Sequence, residues 1–382
     1  MNYQRLTEVR HWLHAHPELS RQETGTARYL RKVLMSEARP DQMLDLDGAG
    51  FAAVYCGARP GKTVMLRCEL DALPIAEANS DLPYLSSVPG IGHKCGHDGH
   101  MAMLLGVGFV LAQVRPVAGR VVLVFQPDEE TGTGAQGCVE HPSFQDIQPD
   151  LVFALHNLPG VPFGQIVCRT GPFASAVHYE AVRFHGRPAH SSLPQTGVSP
   201  AKAIAELTLL TEDLAKNAAE GDGYALAVPI FTQMGVASSG VAPAAGELHV
   251  TLRSDRNAVV EKMLSALRQQ AARLAQAHGL DVSFDELEKF SACVNDGQAT
   301  TCILNAARAL GKEPIVIREP FRWGEDFGAF TQAAQGAMFG LGAGTDVPPL
   351  HDETYDFPDT LIPEGTAMFL ELIRSATLQN SA

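Results

Sequence analysis

Apolar residues recur at helical spacing over residues 5–37, and Pro17 interrupts them, so the chain opens on a broken helix. Ala52–Tyr55, Thr63–Leu66 and Val121–Phe125 are short runs rich in Val or Leu, each bounded by Gly, Pro or charge. That is the pattern of strands buried on both faces. His100–Val114 reads as one continuous helix between them, and Leu151–Leu155 as another buried strand. Strands alternating with helices predict an α/β layer fold.

The pattern changes from about Val177. Tyr179–Phe184 alternates, Pro200–Asn217 is an amphipathic helix, Ala225–Gln233 and Glu247–Arg253 are strands, Ala258–His278 is a helix and Val282–Leu287 a strand. The order βαββαβ is the ferredoxin-like, split-βαβ arrangement, an α+β unit complete in itself. It interrupts the first domain, which resumes with a helix at Thr300–Leu310, a strand at Ala337–Leu341 and a last helix at Glu364–Thr377. The expected division is a first domain of residues 1–175 and 290–382 with an insertion at 176–289. Internal repeats and low-complexity segments are lacking.

Length agrees with two domains, because 382 residues exceed the about 250–300 that one core organises. Apolar residues make up 45% of the chain, yet no run approaches the roughly 20 needed to span a bilayer. The N-terminus lacks a secretory pattern, which together with seven scattered cysteines points to the cytoplasm. A formal charge of −14 with no basic stripe argues against nucleic acid as a partner.

Candidate chemistry gathers after the strands. Gly92–His100 holds Cys95, Asp98 and the histidines His93, His97 and His100, in a Gly-rich turn that opens a helix. Cys95 and His97, two apart, can converge on one ion as a thiolate–imidazole pair; a polar helix cap is the bland alternative. Glu69 and Asp71 follow a buried strand, where open α/β sheets build their sites. Val121–Phe125 runs into Asp128-Glu129-Glu130, a set of like charges that suits a cation, with one carboxylate binding and its neighbour handling a proton. A solvated acidic turn has the same pattern. His156 and His351 each follow an apolar stretch, and His190 lies in a loop of the insertion.

These residues occur together with His14-Ala15-His16-Pro17-Glu18-Leu19, Glu23, Asp71-Ala72-Leu73-Pro74-Ile75, Phe125-Gln126-Pro127, Leu155-His156-Asn157 and Glu325-Asp326-Phe327. In that order the set resembles the aminoacylase/carboxypeptidase zinc metallopeptidase superfamily, in its branch of N-acyl amino acid amidohydrolases, hippurate hydrolases and auxin-conjugate hydrolases. The resemblance implies a zinc-peptidase-like α/β/α catalytic domain with an inserted lid through which the chain forms a homodimer or higher homo-oligomer. It implies two divalent ions, zinc first, with manganese, nickel and cobalt also compatible with mixed S, N and O ligands. Cys95, His97, Glu130, His156 and His351 would hold them. Glu129 would be the general base toward a water held at the metals, Asp71 would orient a ligand, and His190 would stabilise the oxyanion. The implied substrate is a small N-acyl amino acid, N-acetyl or N-benzoyl. A dipeptide or other small amide is the alternative on the same site, and a catalytically silent metal-binding homologue is another.

Several positions depart from the resembled pattern. Glu69 stands for Asp, Gly92-His93-Lys94 for Met-His-Ala, Asp128 for Ala, Gln195 for His and Gly240 for Asn. Lys94 and Asp128 carry opposite charges beside the site and suggest an ion pair. Gln195 and Gly240 bear on specificity, as does Arg253, which reads either as a contact for the substrate carboxylate or as a surface arginine.

Overall fold

The computed structural model describes residues 2–218 and 223–378. The chain divides into two compact units, Met1–Phe173 with Cys293–Pro320 and Glu325–Ala382 forming one, and Ala174–Ala292 with Phe321–Gly324 the other. The short return of residues 321–324 to the second unit has no signature in the apolar pattern.

The first unit is built on an eight-stranded sheet. Its strands β1 (Gln42–Asp45), β2 (Phe51–Cys56), β3 (Thr63–Glu69), β4 (Arg120–Gln126), β5 (Leu151–Pro159) and β6 (Ile166–Cys168) are joined by Ile315–Val316 and Gly336–Gly344. Across the sheet the order is β1, β2, β4, β3, β5, Gly336–Gly344, β6, Ile315–Val316. The centre, from β4 through β3 and β5 to Gly336–Gly344, is parallel. Parallel pairing brings the carboxyl ends of these strands to one edge, where open α/β sheets place their ligands.

Alternation within the strands sorts two faces. Phe51, Val64, Leu66, Leu123, Phe125, Phe153 and Leu155 share the main core with residues of helices Tyr3–Ala15, His97–Gln113, Gly297–Ala309 and Leu361–Leu378. Helix Gly134–Glu140 packs with β4, and Gly328–Ala333 with Gly336–Gly344. His97–Gln113 is buried almost all round, so its sequence shows apolar continuity more than a one-sided stripe.

Two expectations shift. Helix His97–Gln113 begins three residues before His100, so His97 itself is in its first turn. Strand β5 continues through Pro159 and takes His156 into the sheet, opposite Gly340. Strand β1 is short and only partly buried, and its pattern is too weak to read.

The second unit has a four-stranded antiparallel sheet of Ala225–Met234, Ala245–Ser254, Ala176–His185 and Asp281–Phe290, in that spatial order. Helices Ala201–Ala218 and Asn257–His278 cover one face and share a second core with Val182, Phe184, Leu248 and Val250. This is the ferredoxin-like arrangement expected from the βαββαβ order. Among the described residues, no helix is long and apolar enough to cross a membrane.

Candidate metal centre

Three strands and one helix start deliver the site of the first unit. Beyond β3 lies Asp71, and beyond β4 the turn that carries Glu129 and Glu130. His156 comes from β5, and Cys95 and His97 from the entrance to helix His97–Gln113. Gly96 makes that entrance possible. Its φ is +97°, and a Cβ there would fall 2.7 Å from the Asn157 Oδ1.

His97 shows how a candidate ligand is aimed. Its Nδ1 donates to the Asp71 carbonyl at 2.9 Å and lies 3.4 Å from the Asp71 carboxylate. That bond fixes the tautomer and leaves Nε2 as the lone-pair nitrogen. Nε2 is buried without a hydrogen-bond partner, 3.8 Å from Glu129 and 3.9 Å from Glu130. His156 repeats the device, its Nδ1 donating to the Asn157 carbonyl at 2.9 Å while Nε2 lies 3.5 Å from the Cys95 sulfur. Asp71 also receives the Glu130 N–H at 2.9 Å and the Ser20 hydroxyl at 2.7 Å, so one carboxylate positions both His97 and Glu130. His351 Nε2 lies 3.8 Å from Glu130.

The resulting donor atoms fall into overlapping sets, each within 4.8 Å: Cys95, His97 and His156; Cys95, Glu130 and His351; His97, Glu129 and Glu130. Cys95 is common to two sets and Glu130 to two. The five residues expected as ligands therefore meet in one cluster.

Electrostatics test whether a cation fits there. Burial, reinforced by Glu325, Glu130 and Asp326, raises the Glu129 carboxyl well above its ordinary range. Burial raises Glu130 to about 7 against the opposing charge of His97. Burial together with Glu130 and Glu129 lifts the Cys95 thiol. Burial disfavours charge on His97, yet its bond to Asp71 and the charges of Glu69 and Asp71 carry it up to about 10. The Glu129 and Glu130 carboxyls and the Cys95 thiol resist ionisation, and the Glu130 Oε1 and His97 Nε2 are buried without partners. A divalent cation relieves both conditions at once, so the donor set fits one.

The turn after β4 is held from several sides. Asp128 adopts φ +57°, its N–H donates to Glu23 at 2.7 Å, and its carboxylate accepts from Thr131 at 2.6 Å, Arg21 at 2.9 Å and Thr133. The Lys94–Asp128 pair expected from charge is absent: Asp128 pairs with Arg21, whereas Lys94 turns to Glu77. Gly134 closes the turn, where a Cβ would stand 1.7 Å from the Pro127 carbonyl oxygen. Gly134→Ala must displace that carbonyl, and overpacking of this kind costs about 1–3 kcal/mol. We expect a lower unfolding midpoint together with weaker metal binding, because Glu129 and Glu130 ride on the same turn; a metal titration with unchanged affinity would contradict the coupling.

Sequence reasoning named Glu69 and the Glu325-Asp326 pair beneath the centre but passed over the cation among them. Arg67, fully buried, pairs with Glu69, Glu325 at 3.0 Å and Asp326 at 2.5 Å, and donates to Gln126 at 2.7 Å. His100 bridges Glu69 and Asn157, each at 2.7 Å. An arginine in the middle of an otherwise apolar strand was the available signal.

A model of peptidase family M20/M25/M40 matches residues 65–375. The chain belongs to that family. This M20 chain is a hydrolase, of a class of metal-dependent amidohydrolases. It is 28% identical over 372 residues to an N-acetylcysteine deacetylase of Bacillus subtilis, covering 96% of both chains. It is 29% identical over 350 residues to thermostable carboxypeptidase 1 of Saccharolobus solfataricus, covering 88% of this chain and 85% of that one. A solved dinuclear metal-binding peptidase of the M20 family from Bacillus subtilis superposes with a TM-score of 0.80 at 26% identity, over 98% of each chain.

The remaining candidates of the M20 hydrolase belong to the second unit. His190 lies in a two-residue strand paired with Val241–Ala242, and Ser191 N–H donates to the Gly240 carbonyl at 3.1 Å, so His190 and Gly240 are neighbours. His190 is exposed and shares a 2.7 Å hydrogen bond with the Ser192 hydroxyl. A Cβ at Gly240 would meet nothing within 4 Å, so the place where the resembled pattern has Asn is open space. Arg253 sits elsewhere on the sheet, opposite Val177, and donates to the Arg322 carbonyl at 2.9 Å.

Proposed function

We propose that this M20 hydrolase cleaves the amide bond of N-acyl amino acids, releasing a carboxylic acid and a free amino acid. The observation that carries the reading is the convergence of Cys95, His97, Glu130, His156 and His351 in overlapping groups of donor atoms, with the buried carboxylate of Glu129 3.8 Å from His97. Two divalent ions, zinc in the first instance, would be held by those five residues. When bound, they supply Lewis acidity toward the scissile carbonyl and toward water.

The rest falls to the chain's own groups. Glu129 takes a proton from the attacking water as the water oxygen bonds to the carbonyl carbon. The C–N bond then breaks, and Glu129 returns the proton to the leaving amine. A carboxyl held above its ordinary range by burial is suited to giving that proton back. His190 is assigned to the developing oxyanion and Arg253 to the substrate carboxylate. The deacetylase relative supports an acyl amino acid as substrate. The carboxypeptidase relative favours a second reading, in which a dipeptide occupies the same centre. Val228, Ile230, Phe231 and Met234, exposed along the edge strand Ala225–Met234, support self-association of the second unit as a lid and dimerisation domain.

Removal of metal by a chelator is expected to abolish hydrolysis, and re-addition of one divalent metal at a time to restore it. Free amino acid released from N-acetyl amino acids, N-benzoyl amino acids and dipeptides is the readout. Turnover that survives complete demetallation refutes the metal assignment, and activity confined to dipeptides transfers the function to the second reading.

A further inference from the structure

We propose that Lys94 is the positioning residue that keeps the Cys95 loop and the His351 segment in register. The inference rests on the reading of Cys95 and His351 as metal ligands. Lys94 is fully buried, and its ammonium donates to the Glu77 carboxylate at 2.8 Å and to the Tyr355 carbonyl at 2.8 Å. Its own carbonyl accepts the His351 N–H at 2.8 Å. One residue, adjacent to Cys95, therefore grips the segment 351–355 at both ends.

That segment needs such a grip. His351 adopts φ +66°, a conformation uncommon outside glycine. Its side chain is 52% exposed, so packing does little to fix the ring. The backbone bonds from Lys94 define where the imidazole emerges. Tyr355 carries the effect further, since its hydroxyl accepts from Asn157 at 2.5 Å, one residue from His156.

The far end of the strut is itself anchored. Glu77 accepts from His14 Nε2 at 2.8 Å and from the Ser86 N–H at 2.8 Å, and His14 Nδ1 bonds Asp98 at 2.8 Å. Two cations thus share the Glu77 carboxylate, whose ionised form they favour against burial, and its pKa falls to about 2. An ammonium taken fully out of water is expensive to bury, and two well-placed acceptors compensate it. An apolar side chain would fill the space without that cost, and would leave the 351–355 segment tied by its backbone at one end only.

The test is cobalt binding by the full-length, metal-free protein. Affinity is measured by chelator competition, and geometry by the thiolate-to-cobalt charge-transfer band. Lys94→Met is expected to weaken one cobalt by about 10–100-fold and to alter the band, and Lys94→Arg to recover part of both. Should Lys94→Met fail to fold, Lys94→Gln, which keeps a donor without the charge, is read in its place. A variant that lowers only the melting temperature of the metal-free protein, with wild-type cobalt affinity and spectrum, overturns the inference. A wild-type protein that binds no cobalt overturns the metal-centre reading instead.

Discussion

Glu129→Gln is expected to lower the turnover number by about 10²–10⁴-fold while the protein keeps its metal, because general base catalysis is worth that much and the amide has no lone pair suited to accepting the proton. The substitution preserves shape, so the five proposed ligands stay in place. Its effect on stability should have the opposite sign. Glu129 lies among Glu130, Glu325 and Asp326, whose charges oppose its ionisation. A neutral amide removes that repulsion, and the metal-free variant should melt no lower than wild type. Steady-state kinetics, metal content and a thermal scan on one preparation check all of this together. Full activity in a metal-replete variant would remove Glu129 from the mechanism.

The second large effect concerns stability. Arg67 is a fully buried cation whose guanidinium meets Glu69, Glu325 and Asp326. Arg67→Met leaves those carboxylates buried and uncompensated, a change that costs about 3–5 kcal/mol. Arg67→Lys should recover only part of the loss, since an ammonium cannot reproduce the fork that reaches three acceptors and Gln126. The sign of the pH dependence follows from the acids. Carboxyls whose folded-state pKa is raised destabilise the fold above their unfolded value, and the penalty fades as falling pH protonates them. Burial already raises Glu325 and Asp326 with Arg67 in place, so the variant's deficit should narrow on acidification. Denaturant midpoints at several pH values decide it, and a difference below 1 kcal/mol throughout would show that the cation is dispensable.

Much of the centre could be read in the chain because its residues are local and chemically unusual. Cys95 and His97 are two apart in one turn, and Glu129 and Glu130 are adjacent, so their donors must emerge close together wherever the chain goes. The strands before them are apolar on both faces, which is legible without a fold. His156 and His351 were weaker as single histidines, and gained weight from their place among the other motifs.

Other features have no local signal. Whether Asp128-Glu129-Glu130 is a solvated turn or a buried one is undetermined by three acidic letters. The contacts of Asp128 with Arg21 and the Glu23 carboxylate, more than a hundred residues away in sequence, decide it. Opposite charge suggested that Lys94 meets Asp128; direction of the side chains, fixed by the turn at Gly92–Gly96 and by the position of Glu77, sends them apart. Arg67 is invisible as a counterion until β3, β4 and the 325–326 segment are assembled around it.

The sequence by itself determined the βαββαβ insertion and the α/β frame, because hydrophobic periodicity is a property of short stretches, and its resemblance to a known family named the residues proposed as ligands. Only the tertiary structure decided which nitrogen of His97 faces the centre, which cation neutralises Glu69, and how His351 is held in a left-handed conformation. Each depends on burial and on hydrogen-bond partners brought from distant parts of the chain, and those partners exist only once the strands have chosen their neighbours.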